Sequence, residues 1–393
     1  MQKSIRCGCS TGSDLGSYSA GRKIAFNLIG LGASAAAFLV AAELVLRFLP
    51  YNEGLRTQPV NELDPVYHFQ PDRIATWSLD WDFKVVNKIR INNEGFVNNN
   101  DYFVNAPGPL LAVIGDSYIE ASIVPFDQTM HAGLAKMVVP QEGRVYSFAA
   151  SGASLSQYLI WAQYAQIKFR PNAFVFSIVS NDFSDSLYHL QRYPGFHHFE
   201  RLPNDEMALR RVDYEPSPIR RILRRSALAM YLATNVKIAR AFQIEAWQFG
   251  KNDQEWVANI PRALPEKNLA DFRWAVDQFI EAIPDYTGLP YSKIVFTIDA
   301  IRRAMYDAED LESAKTSVWA KMRRYVAEQA RAKGITVVDL QPVYSESYRN
   351  NGKRFEFLTD SHWNSLGHEL VARAVSCTEV FRETSREFEE NHC

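Results

Sequence analysis

Leu-Leu-Ala-Val-Ile-Gly-Asp-Ser-Tyr, residues 110–118, is an apolar run of strand length that ends at a glycine and two polar residues. A short continuous apolar run is typical of a strand buried on both faces of a sheet. Because glycine permits a sharp turn, we predict that Ser117 follows the first core strand and opens a helix. The backbone N–H of a serine at that place can stabilise an oxyanion.

Outward from this segment, strands and helices alternate along the chain. Apolar runs predict further strands at 145–150, 173–179, 294–298 and 335–340, and helical patterns lie at 128–138, 155–169, 311–333 and from Asn364 onward. This alternation predicts a parallel sheet with helices on both faces. Ligands of such sheets bind outside the carboxyl ends of the strands, where this sequence has Asp116 and Ser117, Ser151 and Gly152, and Ser180, Asn181 and Asp182.

A serine hydroxyl needs a base to become a nucleophile, and His362 is the candidate. It lies in Leu-Thr-Asp-Ser-His-Trp-Asn, residues 358–364, just before the last predicted helix. Asp360 stands two residues upstream and is the candidate acid that orients the imidazole. The alternative is a helix N-cap region in which Asp360 or Asn364 caps and His362 is merely exposed. Ser117 favours the catalytic interpretation.

An acyl-transfer site also needs hydrogen-bond donors for the developing oxyanion. Gly152 offers an unhindered backbone N–H after the second strand, and Asn181 offers its side-chain amide after the third. Each residue alone is typical of a turn. Their placement at successive strand ends predicts that they share one pocket with Ser117.

Together these blocks resemble the SGNH (GDSL-type) hydrolases: Gly115-Asp116-Ser117, Gly152, Ser180-Asn181-Asp182 and the late Asp360-x-His362 pattern. The resemblance extends over residues 90–375, including a lead-in at 90–96 similar to that of bacterial membrane-anchored members. It implies a flavodoxin-like α/β/α sandwich with five parallel strands. It also implies that Ser117, His362 and Asp360 form a catalytic triad, and that Ser117, Gly152 and Asn181 form an oxyanion hole.

The sequence departs from the family pattern at two positions. Val179 stands where the third block usually has glycine, and Thr359 stands three residues before His362, where the acid usually lies. The spacing Asp360-x-His362-Trp363 is similar to that of alginate O-acetyltransferase-like members. Asp339 is an alternative acid.

The N-terminal segment 24–49 is apolar, with Glu43 and Arg47 as its charged residues. About 20 apolar residues span a bilayer, so we predict a transmembrane anchor. Lys3, Arg6, Arg22 and Lys23 before it predict a cytoplasmic N-terminus and a periplasmic or extracellular catalytic domain. A cleaved signal peptide is the alternative.

The remaining boundaries follow from composition. We predict a cytoplasmic tail at 1–23, a connector and lead-in at 50–109 with a short strand near 83–91, and an SGNH hydrolase-like domain at 110–380 with a C-terminal tail at 381–393. Regular alternation stops at 183–268, which is too long for a plain loop. We interpret that interval as an inserted cap.

Composition excludes several classes of partner. A formal net charge of −2 gives no reason to expect nucleic acid, and the four cysteines lack metal-site spacing, so we expect no metal and no cofactor. Cys7 and Cys9 precede the apolar segment, and the sequence leaves open whether Cys377 and Cys393 pair. It also leaves the oligomeric state open.

The predicted activity is that of an extracytoplasmic serine esterase that forms an acyl-enzyme, with O-acetyl esters of cell-surface polysaccharide as the expected substrate. An O-acetyltransferase with the same triad and a lipid-ester hydrolase are alternatives within the enzyme class. A non-catalytic glycan-binding or assembly protein is the alternative outside it.

Overall fold

A computed structural model describes residues 20–138, 143–237, 265–306, 314–357 and 360–385. The chain divides into two compact units, Met1–Leu49 and Pro50–Cys393. In the first unit, helix α1 (Ala20–Leu46) has no charged side chain between Ile24 and Ala42, and Gly21–Leu46 is long and apolar enough to cross a bilayer. The N-terminal apolar helix predicted from the sequence is therefore present. A signal sequence near an N-terminus has the same character.

The second unit contains the following strands: β1 (Arg73–Leu79), β2 (Val85–Ile91), β3 (Leu110–Gly115), β4 (Arg144–Ala149), β5 (Ala173–Ile178), β6 (His197–Arg201), β7 (Met207–Arg211), β8 (Ile294–Ile298), β9 (Thr336–Asp339), β10 (Glu356–Phe357) and β11 (Asp360–Trp363). Its helices are α2 (Ser117–Glu120), α3 (Met130–Met137), α4 (Leu155–Phe169), α5 (Asp182–Asp185), α6 (Pro218–Leu223), α7 (Ala227–Met230), α8 (Leu269–Thr287), α9 (Arg303–Tyr306), α10 (Val318–Lys333), α11 (Leu340–Asn351), α12 (Ser365–Ser376) and α13 (Glu379–Ser385).

The central sheet has five parallel strands in the order β4-β3-β5-β8-β9. Numbered along the chain this is 2-1-3-4-5, the flavodoxin-like order, so the predicted fold class is confirmed. Both faces of the sheet are buried because alternate residues of a strand point to opposite sides. In β3, Ala112 and Ile114 belong to one core cluster, whereas Leu111 and Val113 belong to the other.

Helices cover each face and complete three layers. Residues of α4, α8 and α10 pack in the first cluster, which includes a phenylalanine group at Phe174, Phe176, Phe279 and Phe296. Residues of α3, α11, α12 and α13 pack in the second cluster. Full burial of one phenylalanine contributes about 1.5–3 kcal/mol to the free energy of unfolding. The two helical layers therefore stabilise the sheet and hold its strand ends in place.

Most predicted bounds differ from the observed ones by two residues or fewer, and the strand Ile294–Ile298 and the helix Leu155–Phe169 match. The largest difference is at α10. The sequence predicts one helix over 311–333, whereas a bend at Ser317 separates α10, which begins at Val318, from the helical residues 314–316; residues 311–313 lie outside the described ranges. Ser317 sets the start because its hydroxyl accepts the N–H of Ala320 and satisfies a donor of the first turn.

The lead-in is more structured than the connector that the sequence predicts. Strands β1 and β2 form an antiparallel hairpin over the full length of both strands, where the sequence predicts one short strand near 83–91. Val60, Phe69 and Phe96 are buried in the core cluster that contains α4. These apolar residues are widely spaced along the chain, so no periodic pattern marks them.

The predicted insertion contains the β6–β7 hairpin, α6 and α7, and residues 238–264 of it lie outside the described ranges. A wider helical turn, Tyr231–Asn235, follows α7. Buried Asn235 ties it to the lead-in by accepting the N–H of Asn52 (2.8 Å) and donating to Ser78 Oγ (2.9 Å) and the Asp80 carbonyl (3.0 Å). This part of the insertion is therefore fastened to the β1–β2 hairpin.

At the C-terminal end, α13 packs Val380 and Phe381 into the second core cluster. The predicted tail at 381–393 thus begins inside a helix, and its residues 386–393 lie outside the described ranges. Cys377 is disulfide-bonded, while Cys7, Cys9 and Cys393 lie outside the described ranges.

Candidate active site

The nucleophile turn joins β3 to the short helix α2. Asp116 caps this helix, since its Oδ1 accepts the N–H of Tyr118 at 2.9 Å. Position 115 has no room for a side chain, because a Cβ there would lie 2.3 Å from Ile119 Cγ1 and 3.2 Å from Ser177 Cβ. The close approach of α2 to the sheet therefore fixes Ser117 at the strand end.

The candidate acid and the candidate base lie on strand β11. Residues i and i+2 of a strand face the same side, so the two-residue spacing brings Asp360 and His362 together. Asp360 Oδ1 accepts both the backbone N–H of His362 (2.8 Å) and its ring Nδ1–H (2.5 Å). The two-residue spacing of Asp360 and His362, which departs from the usual three-residue spacing of the family, therefore suits an extended strand. Thr359, at the usual acid position, lies outside the described residues.

One hydrogen-bonded chain connects Ser117, His362 and Asp360. His362 Nε2 lies 2.7 Å from Ser117 Oγ, on the opposite side of the ring from Asp360. Because the Asp360 carboxylate accepts a hydrogen bond from Nδ1–H, the proton of the neutral imidazole is assigned to Nδ1 and Nε2 is left as the acceptor for the serine hydroxyl. Ser117 Oγ also lies 3.3 Å from Asp116 Oδ2, and the shorter contact favours donation to His362.

The charges of the pair reinforce this arrangement. Burial opposes ionisation of Asp360, but the neighbouring His362 and its hydrogen bonds outweigh burial and lower the pKa of the carboxyl to about 2. Burial likewise disfavours a charged imidazole, yet the charge and hydrogen bond of Asp360, together with the charge of Asp116, raise the pKa of His362 above 6.5. Asp360 is therefore ionised at neutral pH and stabilises a proton on His362.

Gly152 and Asn181 follow the two strands that flank β3, three residues after the end of β4 and of β5. Gly152 has a φ of 84°, a conformation that favours glycine, and Phe196 of the insertion is the nearest group to a Cβ there, at 3.6 Å. Asn181 donates from Nδ2 to Asp185 Oδ2 at 3.1 Å. Parallel order thus brings all three predicted strand ends to the same edge of the sheet.

Val179 replaces the usual glycine without disturbing this turn. Its side chain is buried, and its backbone N–H donates to Asp182 Oδ2 at 2.8 Å. The other oxygen of Asp182 accepts the hydroxyl of Tyr158 at 2.9 Å. The block that carries Asn181 is therefore fixed by a buried carboxyl, so it does not depend on a glycine. Asp339, the alternative acid, caps α11 and pairs with Arg323.

Sequence reasoning missed two buried charged residues near these strand ends. Glu120 accepts the backbone N–H of Ser151 (2.6 Å) and the hydroxyl of Ser122 (2.7 Å), and burial raises its pKa. Arg302 follows β8 and contacts Tyr118 and Ser361. The rule that inspects strand ends would have found Arg302 if it had been extended to β8. Among the described residues, no group of three or more His, Cys, Asp or Glu is arranged to hold a metal.

Residues 292–390 match the family model described as "ALGX: SGNH hydrolase-like domain, acetyltransferase AlgX". No curated protein matches the sequence. The matched part contains Arg302, Asp360 and His362, and it lies C-terminal to Ser117, Gly152 and Asn181. The resemblance predicted from the sequence is confirmed, and it supports an ester-acting enzyme, with acetyl transfer as the activity that the description names.

Solved structures also match the chain. A lipolytic protein of the G-D-S-L family from Veillonella parvula is 10% identical and covers 68% of this chain and 96% of its own, with a TM-score of 0.37. A lipase/acylhydrolase from Enterococcus faecalis is 13% identical and covers 72% and 97%, with a TM-score of 0.37. A catalytic mutant of an acetylxylan esterase from Geobacillus stearothermophilus is 13% identical and covers 70% and 95%, with a TM-score of 0.36.

We expect the reactivity of Ser117 to rise with pH through a midpoint above pH 6.5, because His362 must be neutral to accept the proton and its pKa is raised. The rate of labelling by a fluorophosphonate, measured against pH, gives this midpoint. In Asp360→Asn the loss of the negative charge moves the midpoint to lower pH, and the rate falls by about 10⁴-fold. A wild-type midpoint below 6.5, or an unchanged profile in the variant, contradicts the assignment.

Proposed function

We propose that this chain is a serine esterase that cleaves O-acyl esters, foremost O-acetyl groups on polysaccharide, through an acyl-enzyme at Ser117. The observation that carries the proposal is the hydrogen-bonded chain from Ser117 Oγ through both nitrogens of His362 to Asp360. The family description, which names an acetyltransferase, supports the choice of acetyl as the acyl group.

In the first half-reaction, His362 takes the hydroxyl proton of Ser117 at Nε2 while Oγ attacks the ester carbonyl. The charge that develops on His362 is stabilised by ionised Asp360. The imidazolium then protonates the departing sugar oxygen, which leaves the acyl group on Ser117. In the second half-reaction, water gives a proton to His362 and attacks the acyl carbonyl. The imidazolium then returns this proton to Ser117 Oγ as the bond between Oγ and the acyl carbon breaks, which releases the acid and restores the enzyme.

The oxyanion of each tetrahedral intermediate is proposed to rest on the N–H groups of Ser117 and Gly152 and on the amide of Asn181. Asn181 suits this role because its amide nitrogen carries two protons and Asp185 accepts one of them. Removal of one such donor typically lowers the rate by about 10²–10³-fold.

An O-acetyltransferase uses the same three residues, with a sugar hydroxyl in place of water in the second half-reaction. The family description favours this second candidate. A lipid-ester hydrolase would also use the triad but would bind an apolar acyl chain, whereas a non-catalytic glycan-binding protein would share the fold without turnover.

The proposed location is outside the cytoplasm, with α1 as a membrane anchor and the N-terminus in the cytoplasm. Helix α1 has Arg22 and Lys23 in its first turn and no basic residue in its last turn, which supports this orientation. The disulfide at Cys377 also supports an oxidising compartment.

Ser117→Ala is expected to abolish fluorophosphonate labelling and to lower turnover of 4-nitrophenyl acetate by about 10⁶-fold, because no other group replaces the nucleophile. Intact-mass spectrometry and an absorbance assay measure the two effects. Ser292→Ala, which changes an exposed serine before the start of β8, at the opposite edge of the sheet, is the control and keeps both activities. A folded wild type that neither labels nor turns over would favour a non-catalytic protein.

The esterase is expected to release free acetate from an acetylated oligosaccharide faster than it acetylates a second, unmodified oligosaccharide, because water has access to the acyl-enzyme. Mass spectrometry of both sugars and an acetate assay compare the two rates. Acetylation of the acceptor that outpaces acetate release identifies a transferase instead.

Alkaline phosphatase fused after Cys393 is expected to be active in cells, because this reporter needs disulfides that form outside the cytoplasm. The intact mass of the membrane-bound fusion is expected to include α1. An inactive reporter rejects the proposed orientation, and loss of α1 from an active fusion identifies a cleaved signal sequence.

A further inference from the structure

Arg302 is a fully buried charge beside the candidate triad. It lies four residues after the end of β8, at the edge of the sheet where Ser117 also lies, and none of its surface is exposed. Removing a guanidinium from water costs several kcal/mol unless partners compensate, so its contacts indicate what it holds in place.

The guanidinium meets the acid–base strand at one carbonyl. Nη2 of Arg302 donates to the carbonyl of Ser361 at 2.5 Å, in the residue between Asp360 and His362. The same nitrogen donates to the hydroxyl of Tyr118 at 3.2 Å, and that hydroxyl donates to the Ser361 carbonyl at 2.9 Å. Tyr118 directly follows Ser117, so this triangle joins the base segment to the nucleophile segment.

The other terminal nitrogen of Arg302 contacts strand β10, which is paired with β11. Nη1 of Arg302 lies 3.4 Å from Oε2 of Glu356 on β10. Glu356 pairs with Trp363 of β11 across the hairpin. Trp363 in turn donates from Nε1 to Asp299 Oδ1 at 2.9 Å. The residues on both sides of His362 are thus fastened to the segment after β8.

We propose that Arg302 is a positioning residue that fixes His362 against Ser117 by clamping the Ser361 carbonyl and the Tyr118 hydroxyl. This inference rests on the proposed function, since it concerns the same nucleophile and base. The planar guanidinium makes these contacts with its two terminal nitrogens: Nη2 bonds Ser361 and Tyr118, and Nη1 faces Glu356. A lysine has a single terminal nitrogen and does not reproduce this geometry.

The positive charge of Arg302 also acts on the base. Asp360 and Asp116 favour the protonated form of His362, whereas Arg302 opposes it and lowers the pKa of His362. The ionisable groups around His362 are Asp360 on its own strand, Asp116, Tyr118 and Glu120 from the nucleophile segment, Arg302 after β8, and His368 on α12. Removal of the arginine charge therefore moves the midpoint of the pH profile upward.

The test compares Arg302→Gln and Arg302→Lys with Arg323→Gln in the full-length protein. Arg323 is a matched control, because it is buried and its guanidinium bonds the Asp299 carbonyl and Asp339 rather than Tyr118 and Ser361. Turnover of 4-nitrophenyl acetate against pH gives kcat, KM and the midpoint, and circular dichroism with thermal melting checks the fold.

In Arg302→Gln we expect kcat to fall by about 100-fold, the effect of a misplacement near 1 Å, with KM nearly unchanged. Its midpoint moves to higher pH. Arg302→Lys keeps the wild-type midpoint, because the charge remains, but recovers only part of kcat. Arg323→Gln keeps the wild-type midpoint and kcat.

If Arg302→Gln does not fold, Tyr118→Phe tests the same clamp and should lower kcat by about tenfold, the equivalent of one hydrogen bond. A folded Arg302→Gln with wild-type kcat and midpoint, or effects equal to those of Arg323→Gln, overturns the inference. An inactive wild type that fluorophosphonate does not label rejects the proposed function instead, so the two failures are distinguishable.

Discussion

The 2.7 Å hydrogen bond between Ser117 Oγ and His362 Nε2 joins two segments that are 245 residues apart in the chain. Such a contact forms only when the tertiary structure returns the second segment to the first. Parallel order does this, because every strand of the sheet ends at the same edge and β3 lies near its middle. In the chain, β8 and β9 lie between Ser117 and the hairpin of β10 and β11, and both are strands of the same sheet. The catalytic geometry therefore depends on the whole sheet.

Buried carboxyl groups crowd this edge and set its electrostatics. Burial raises the pKa of Asp116 to about 6 and of Asp185 to about 7, and it also raises the pKa of Asp182. In each case the fold favours the neutral acid, so ionisation of these groups weakens folding as the pH rises through their shifted values. Asp360 behaves in the opposite way, since its pKa of about 2 adds stability that is lost only as the pH falls below its ordinary value. The carboxylate that is ionised over the whole working range is thus the one that faces His362.

The sequence predicted those features that a single strand or a single turn determines. Leu110–Gly115 revealed a buried strand, and the polar residues after it pointed to Ser117. The pairing of Asp360 with His362 was predicted from their two-residue spacing and from the resemblance, but the strand that carries them, β11, was not predicted. Arg302 was not found, because the strand-end rule was applied to the first three strands and not to β8. Its ion-pair partner Asp299 is three residues away, but Glu356, Ser361 and Tyr118 lie 54 or more residues away in the chain, and no local pattern encodes such contacts.

The lead-in hairpin was missed for a related reason, because its contacts also join residues that lie far apart in the chain. Trp77, Leu79 and Val85 of the β1–β2 hairpin pack against a small apolar cluster that follows the nucleophile helix, formed by Ala121, Ile123 and Val124 and also contacted by Phe357. Asn87 fastens the hairpin there by donating to the carbonyls of Ser122 and Val124 at 2.9 and 2.8 Å.

Because Asn235 ties the insertion to the same hairpin, lead-in and insertion form one connected structure beside Ser117. The carboxyl edge of the sheet and the segments after it carry the proposed reacting residues, and folds of this kind host different chemistries through the segments added to them. In this chain the added segments are the hairpin and the insertion, and the hairpin packs against the residues that directly follow α2, the helix of Ser117.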